Sequence, residues 1–450
     1  MMIKQTEEEL FQSRHIGPGE RDLPEMLKSI GVGSLDELIN ETVPKNIRLQ
    51  TPLNLQEPLG EYRYLQLMRD IARRNKVFKS YIGLGYYNCV VPPVIQRNIL
   101  ENPGWYTQYT PYQSEIAQGR LEGLVNFQTM VVDMTAMEVA SASLLDEGTA
   151  AAEAMTMAHS IVNRRTPKAS KFFVSETCFP QTIDVLRTRA TPLGIELVIS
   201  DHSSFKLDST FFGTLVQYPA EDGAVHDYRS FIRDAKNAGS MVVIAADLLS
   251  LAILTPPGEL GADIAIGNSQ RFGVPLGFGG PHAAYFAAKN EYIRSMPGRI
   301  IGVSIDAQNT MAYRMTLQTR EQHIRREKAT SNICTNHSLC ALTAAMYLAS
   351  VGSSGMHQLA MLNHDKSEYL KGALRKAGFK VPFESPTFNE FVVVSKAGFE
   401  KSYDRLLEKK IVAGLPLSPF YPELAGHYLF CVTEMISKEE MDILIREIES

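Results

Sequence analysis

Asp247 closes the run Val242-Val243-Ile244-Ala245-Ala246, where every preceding neighbour is apolar. A carboxylate is costly to bury unless something compensates it, and the C-terminal ends of strands are where open α/β sheets place ligands. Two readings stand: a partner for a cationic ligand atom such as a pyridinium nitrogen, or a helix cap or salt-bridged turn residue. A second candidate is Leu144-Leu145-Asp146-Glu147-Gly148-Thr149, which opens the segment Ala150-Ala151-Ala152-Glu153. Thr149 is expected to cap a helix starting at Ala150, and Gly148 to give turn freedom. Small first-turn residues would then leave backbone N–H groups for an anion such as phosphate. The plainer reading is a capped helix and no more.

The elements that must hold these residues alternate along the middle of the chain. Strand-like apolar runs are expected at 171–174, 196–199, 214–217, 241–245 and 263–266, with helices between several of them at 150–163, 182–190 and 228–238. Strands spaced by helices imply βαβ units and a mainly parallel, doubly wound sheet. Before this block, short helices are expected at 25–30 and 35–40, then a proline-bearing linker from Gln50 to Gly60 and a helix over 61–78. After it, a polar helical crossing is expected over 310–328. Helices at 338–351, 355–377 and 438–449, with strands at 380–385, 390–395 and 428–432, make a smaller α+β unit. The expected organisation is an arm and linker over 1–60, a large α/β domain over 61–325 and a small domain over 326–450.

Composition narrows the possibilities. The chain has 450 residues, 44% hydrophobic and 21% charged, which suits two or three packed units and excludes a disordered or collagen-like chain. Net charge is −5 with both signs scattered, so no footprint for nucleic acid or anionic lipid stands out. The five cysteines lack metal-site spacing and are expected as reduced thiols in the cytoplasm. Glu7, Glu8 and Glu9 stand where an export signal would carry an apolar core. The apolar stretch 241–254 is interrupted by Asp247 and too short to span a bilayer.

The third candidate is Asp263-Ile264-Ala265-Ile266-Gly267-Asn268-Ser269-Gln270-Arg271-Phe272-Gly273, running into Gly277-Phe278-Gly279-Gly280-Pro281. A strand, a polar tip and a glycine-rich loop after a buried Asp form the layout of a pyridoxal-phosphate enzyme of the aspartate-aminotransferase type. Such enzymes carry a Schiff-base lysine on the tip. This tip holds none, and Lys289 lies beyond a further apolar strand.

Long strings then make the chain recognisable: Arg14-His15-Ile16-Gly17-Pro18, Gly83-Leu84-Gly85-Tyr86-Tyr87, the stretch from Asn102 to Glu122 and Arg326-Glu327-Lys328-Ala329-Thr330-Ser331-Asn332-Ile333-Cys334-Thr335. They resemble the N-terminal half of glycine decarboxylase, the P protein of the glycine cleavage system, over essentially the whole chain. In that family the enzyme is either one fused chain or two separate chains, and this sequence looks like the separate subunit 1. The resemblance implies an aspartate-aminotransferase-like α/β fold. It also implies a partner, subunit 2, with His-Lys at the Schiff-base position. Aligning Pro275 and Gly279-Gly280-Pro281 with the partner's pattern puts Gln270 at the lysine, and a glutamine amide cannot form an imine. Asp146 and Glu147 add like charge where a phosphate would lie.

The resemblance therefore implies no catalytic residue here and a degenerate cofactor pocket at Gly148, Thr149, Asp247 and Gln270. Pyridoxal phosphate is expected on the partner chain, with none on this one. The assembled enzyme is expected to take glycine, release CO2 and pass the aminomethyl group to the lipoyl group of the H protein. Tyr86, Tyr87, Tyr109, Tyr112 and Glu115 are candidates for the wall of the partner's site, since aromatics are favoured at interfaces and pocket mouths. Packing under a long loop is the alternative for them. Other features read plainly: Gly83-Leu84-Gly85 lacks the third glycine of a dinucleotide motif, and His15 and His282 lack metal-ligand companions. The basic run Arg320 to Lys328 reads as a solvated face, an ion-pair network or a dock for an acidic partner. A fold-related binding or regulatory protein is the competing function, and a self-sufficient aminotransferase-like lyase is disfavoured by the missing lysine.

Overall fold

The computed structural model describes residues 15, 17–107, 110–165, 169–317, 320, 322–331, 333 and 337–450. The chain divides into two compact units, Met1–Phe78 and Lys79–Ser450. The described residues of the first include the helices α1 Leu23–Ile30, α2 Leu35–Thr42 and α3 Glu61–Ala72. Gly31 ends α1 in the left-handed conformation, and the Ser34 side chain caps α2 by accepting from the Glu37 N–H at 3.1 Å. Helix α3 stops at Ala72, six residues earlier than its sequence suggests.

The second unit is built on a seven-stranded sheet. Its strands are β2 Val139–Ala140, β3 Lys171–Ser175, β4 Glu196–Ser200, β5 Phe211–Tyr218, β6 Met241–Ala246, β7 Ile264–Asn268 and β8 Ala284–Ala288, in the order β2-β8-β7-β6-β5-β3-β4. The five strands from β7 to β4 run parallel, and β8 and β2 close the edge antiparallel. Every residue of β6 is buried, because both faces of the sheet are covered. Its side chains divide by the period of two: Val242, Ile244 and Ala246 enter one core, Met241, Val243 and Ala245 the other. The first core is completed by helices α4 Gln118–Thr135 and α8 Ser338–Lys376, the second by α5 Glu147–Arg165 and α6 Pro180–Ala190. Helix α7 Arg229–Asn237 adds Phe231, Ile232 and Ala235 to the first.

A third core belongs to the small lobe. There β11 Glu390–Val394, β13 Leu415–Pro416 and β14 His427–Cys431 form an antiparallel sheet under helices α9 Phe399–Glu408 and α10 Lys438–Glu449. The chain just after Phe78 joins it, since β1 Lys79–Ser80 pairs in parallel with β12 Ile411–Val412. Helix α10 has the bounds its sequence suggests, fixed by a capping box between Ser437 and Glu440.

Two expectations need correction. The segment 310–328 is not a helical crossing: Met311–Thr316 is strand β10, paired antiparallel with β9 Ile300–Ile305, and among the described residues of the segment only Gln322–Arg325 is α-helical. Residues 380–385 form no strand, only a bridge from Lys380 to Val394. The helices expected at 338–351 and 355–377 are present as the two limbs of α8, which meet at Gly352, whose φ of 66° and ψ of 176° leave the helical region. Among the described residues α8 alone is long and apolar enough to cross a membrane by length and composition, and its Ala341, Leu342, Ala344 and Tyr347 are packed in the first core.

Candidate functional site

Asp247 follows the last residue of β6, and Gln270 lies two residues past β7, so the parallel strands bring the two to one end of the sheet. Both line one small pocket, together with Tyr87, Glu147, Gln217 and Arg271. Asp247 is not free for a ligand. Its Oδ2 accepts from Arg271 Nη1 at 2.5 Å, and its Oδ1 from the Leu249 N–H at 3.1 Å. Burial pushes the Asp247 carboxyl up, and the Arg271 charge opposes that rise.

Arg271 is the residue the sequence reading passed over. It is 4% exposed and reaches across the seam between the lobes. Its Nη2 donates to Asn363 Oδ1 on α8 at 2.9 Å, and its guanidinium carbon lies 4.3 Å from the centre of the Tyr87 ring. A buried Asp247 calls for a cation, and Arg271, beside the expected lysine position, was an available signal. The 24-residue separation hides the pairing.

Gln270 is 1% exposed, and its amide nitrogen donates to the Val274 carbonyl at 2.7 Å, tying its own loop. Lys289 is at the opposite end of the sheet, paired with Asp263 at 2.5 Å.

The start of α5 differs from its expected form. The helix begins at Glu147, and the cap is Asp146, whose Oδ1 accepts from the Thr149 N–H at 2.7 Å; Thr149 is a first-turn residue, not the cap. Gly148 sits inside the helix, and a Cβ there would stand 3.1 Å from Val185 on α6. Its service is close helix packing rather than turn freedom. Glu147 points into the pocket with Oε1 shielded from solvent and without a hydrogen-bond partner. Burial, with Asp247 and Asp146 adding like charge, pushes its carboxyl up to about 8. Gln217 Oε1 is likewise shielded and unsatisfied.

Two further acids are buried outside the pocket's lining. Glu390 accepts from the Leu84 N–H and the Tyr87 hydroxyl, both at 2.6 Å, and burial pushes it up to about 7. Glu221, accepting from the Tyr421 hydroxyl at 2.8 Å, is pushed up to about 8 by burial.

The residues present do not fit pyridoxal phosphate. No lysine stands at position 270, the strand-end carboxylate is already paired, and a carboxyl group holds the helix start that a phosphate would need. The space left is about 20 Å³, room for one water.

The aromatic candidates separate. Tyr87 is buried in the pocket, whereas Tyr86 is half-exposed with its ring 5.7 Å from that of His282. Tyr112 and Glu115 line a different surface cavity, of about 660 Å³, against the β9–β10 hairpin. Gln118 joins that loop to the hairpin, donating to the Tyr313 carbonyl at 2.8 Å and accepting from its N–H at 2.9 Å. The Tyr112 hydroxyl accepts from Arg299 at 2.9 Å. Tyr109 lies outside the described residues. No group of three or more metal-ligating side chains occurs among those described.

The chain matches the family described as the glycine cleavage system P-protein over residues 13–448. It is 57% identical over 374 residues to a glycine dehydrogenase (decarboxylating) of Nostoc punctiforme, an alignment covering 83% of this chain and 38% of that protein. A crystal structure of glycine decarboxylase (P-protein) of the glycine cleavage system, in inhibitor-bound form, superposes with a TM-score of 0.89 at 34% identity, covering 97% of this chain and 99% of that one. An alanine–glyoxylate aminotransferase from Nostoc, 16% identical with a TM-score of 0.56 over 91% of this chain and 99% of that one, shares the fold. The chain spans about two fifths of the length of the curated relatives it matches.

Proposed function

The chain belongs to the glycine cleavage system P-protein family, and from that premise we propose that it is the subunit without the Schiff-base lysine in a two-chain glycine dehydrogenase (decarboxylating). Its partner is a second chain carrying His-Lys at the matching loop, and pyridoxal phosphate resides on that partner. Together they take glycine, release CO2 and hand the aminomethyl group to the lipoyl group of the H protein. The observation that carries this reading is Gln270 at the end of β7, in a pocket whose Asp247 is already neutralised by Arg271.

In this reading the chain's contribution is to shape the partner's site. Tyr86, on the outer side of the pocket, and Tyr112 with Glu115, beside the hairpin cavity, are the exposed groups offered for it. The compartment we assign is the cytoplasm, supported by four unbridged thiols, Cys89, Cys178, Cys340 and Cys431.

The deciding experiment mixes this chain with the lysine-bearing chain and measures glycine-dependent exchange of CO2. Exchange should appear only in the mixture. A rate no greater than that of the lysine-bearing chain alone would instead favour a binding or regulatory protein of the same fold.

A further inference from the structure

This inference rests on the reading of the chain as the lysine-less subunit and concerns what its pocket holds in the cofactor's stead. A guanidinium is planar, delocalised and always charged. That of Arg271 has one edge on the Asp247 carboxylate at 2.5 Å, and its carbon lies 4.3 Å from the centre of the Tyr87 ring. A third contact, to Asn363 at 2.9 Å, fixes its orientation. A pyridinium ring also is planar and cationic, and it too is held by a carboxylate at its nitrogen.

We propose that Arg271 is a built-in surrogate for the cofactor ring, so that the pocket still selects a planar cation and is filled by one belonging to the chain itself. A second, independent observation agrees. The anionic end of the cofactor also has a counterpart, because the Asp146 carboxylate stands at the start of α5 and accepts from the Thr149 N–H at 2.7 Å, where helix N–H groups favour negative charge. Glu147 Oε1 and Gln217 Oε1, shielded in the pocket lining, find no partner outside this Glu147–Gln217 pair, as in a polar ligand site refilled by side chains of unlike shape. The site's ligand class is thus a planar monocation of guanidinium or pyridinium type.

The surrogate makes a demand that a simple buried ion pair does not: shape should matter as well as charge. The full chain, purified alone, is compared with Arg271→Ala and Arg271→Lys by thermal melting. Arg271→Ala should melt several degrees lower, and guanidinium or methylguanidinium, at low non-denaturing concentration, should recover part of that loss. Ammonium at equal ionic strength should not, and neither planar cation should raise the wild-type melting temperature. Equal recovery by ammonium, or a wild-type response as large as the variant's, overturns the proposal. Should Arg271→Ala fail to fold, Arg271→Lys decides alone: it keeps the charge without the planar fork, so it should still melt below wild type, and an unchanged melting temperature refutes the surrogate. Because the partner chain is absent throughout, failure here is separable from failure of the mixed CO2 exchange.

Discussion

Glu153 is fully buried in α5 and holds two arginines, Arg189 on Oε1 and Arg320 on Oε2, each at 2.8 Å. The first residue of the basic run is therefore one of three members of an internal ion-pair network, while Arg325, Arg326 and Lys328 are exposed. Removing one partner of a buried pair leaves an uncompensated charge. Glu153→Ala should lower unfolding stability by about 3–5 kcal/mol. Urea denaturation of Glu153→Ala, Arg320→Ala and the double variant checks it, and strictly additive losses would count against the coupling.

The buried acids set a pH dependence. Glu147 and Glu221 are raised to about 8 and Glu390 to about 7, so the folded chain binds protons that the unfolded chain releases above the ordinary carboxylate value of 4.5. Their favourable contribution is complete below 4.5 and is lost as pH rises toward 8. Urea midpoints should accordingly be higher at pH 6 than at pH 8.5, and Glu147→Gln should flatten the decline. A decline as steep in the variant as in wild type would show that Glu147 is not among its causes.

Tyr87→Phe keeps the ring under Arg271 and deletes only the hydroxyl bound to Glu390. At pH 8.5, where Glu390 is ionised, the hydrogen bond is to a charged acceptor and is worth about 1.5–3 kcal/mol. Tyr87→Leu should lose roughly 1–2 kcal/mol more, because the cation–π contact goes too. Equal unfolding free energies for the two variants would remove the ring from the account.

Gln270→Lys by itself should leave the isolated chain without a borohydride-fixed pyridoxal-phosphate label, since Asp247 is still paired and the remaining space holds about one water. Adding Arg271→Thr and Glu147→Ser should permit labelling. Mass spectrometry of the reduced chain reads both outcomes, and a labelled single variant would mean that the lysine was all the pocket lacked.

At the hairpin cavity, Tyr112→Ala in the assembled complex should slow aminomethyl transfer to lipoamide several-fold with assembly intact. Tyr112→Phe should fall between, as the hydroxyl is what Arg299 holds. Full transfer by the alanine variant would reduce the loop to packing.

Much of this was legible in the residues. The β6 run, the polar tip after β7 and the misplaced Lys289 declare themselves through local pattern, because a strand buried on both faces is apolar throughout and a charge at its end is conspicuous. The N-terminal boundary of α5 was missed because Asp146, Thr149 and the residues between all suit a first turn, and only the geometry decides which oxygen meets which N–H. The β9–β10 hairpin was missed although Met311, Tyr313 and Met315 alternate, since the charges that follow them suggested a solvated helix and pairing depends on a turn at Asp306–Asn309. The partners of Arg271 are drawn from four distant segments, which no local pattern records.

Helix α8 has a mechanical meaning beyond Gly352. Past that break its second limb places Met356 and Ala360 in the core under the large sheet and Leu370 and Leu374 in the core of the small lobe, with Asn363, the anchor of Arg271, between them. One unbroken rod is thus mortised into both lobes and pinned at its midpoint. Any swing of one lobe against the other must bend that rod or draw the pin, so Lys79–Ser450 is built as a fixed abutment rather than a jaw.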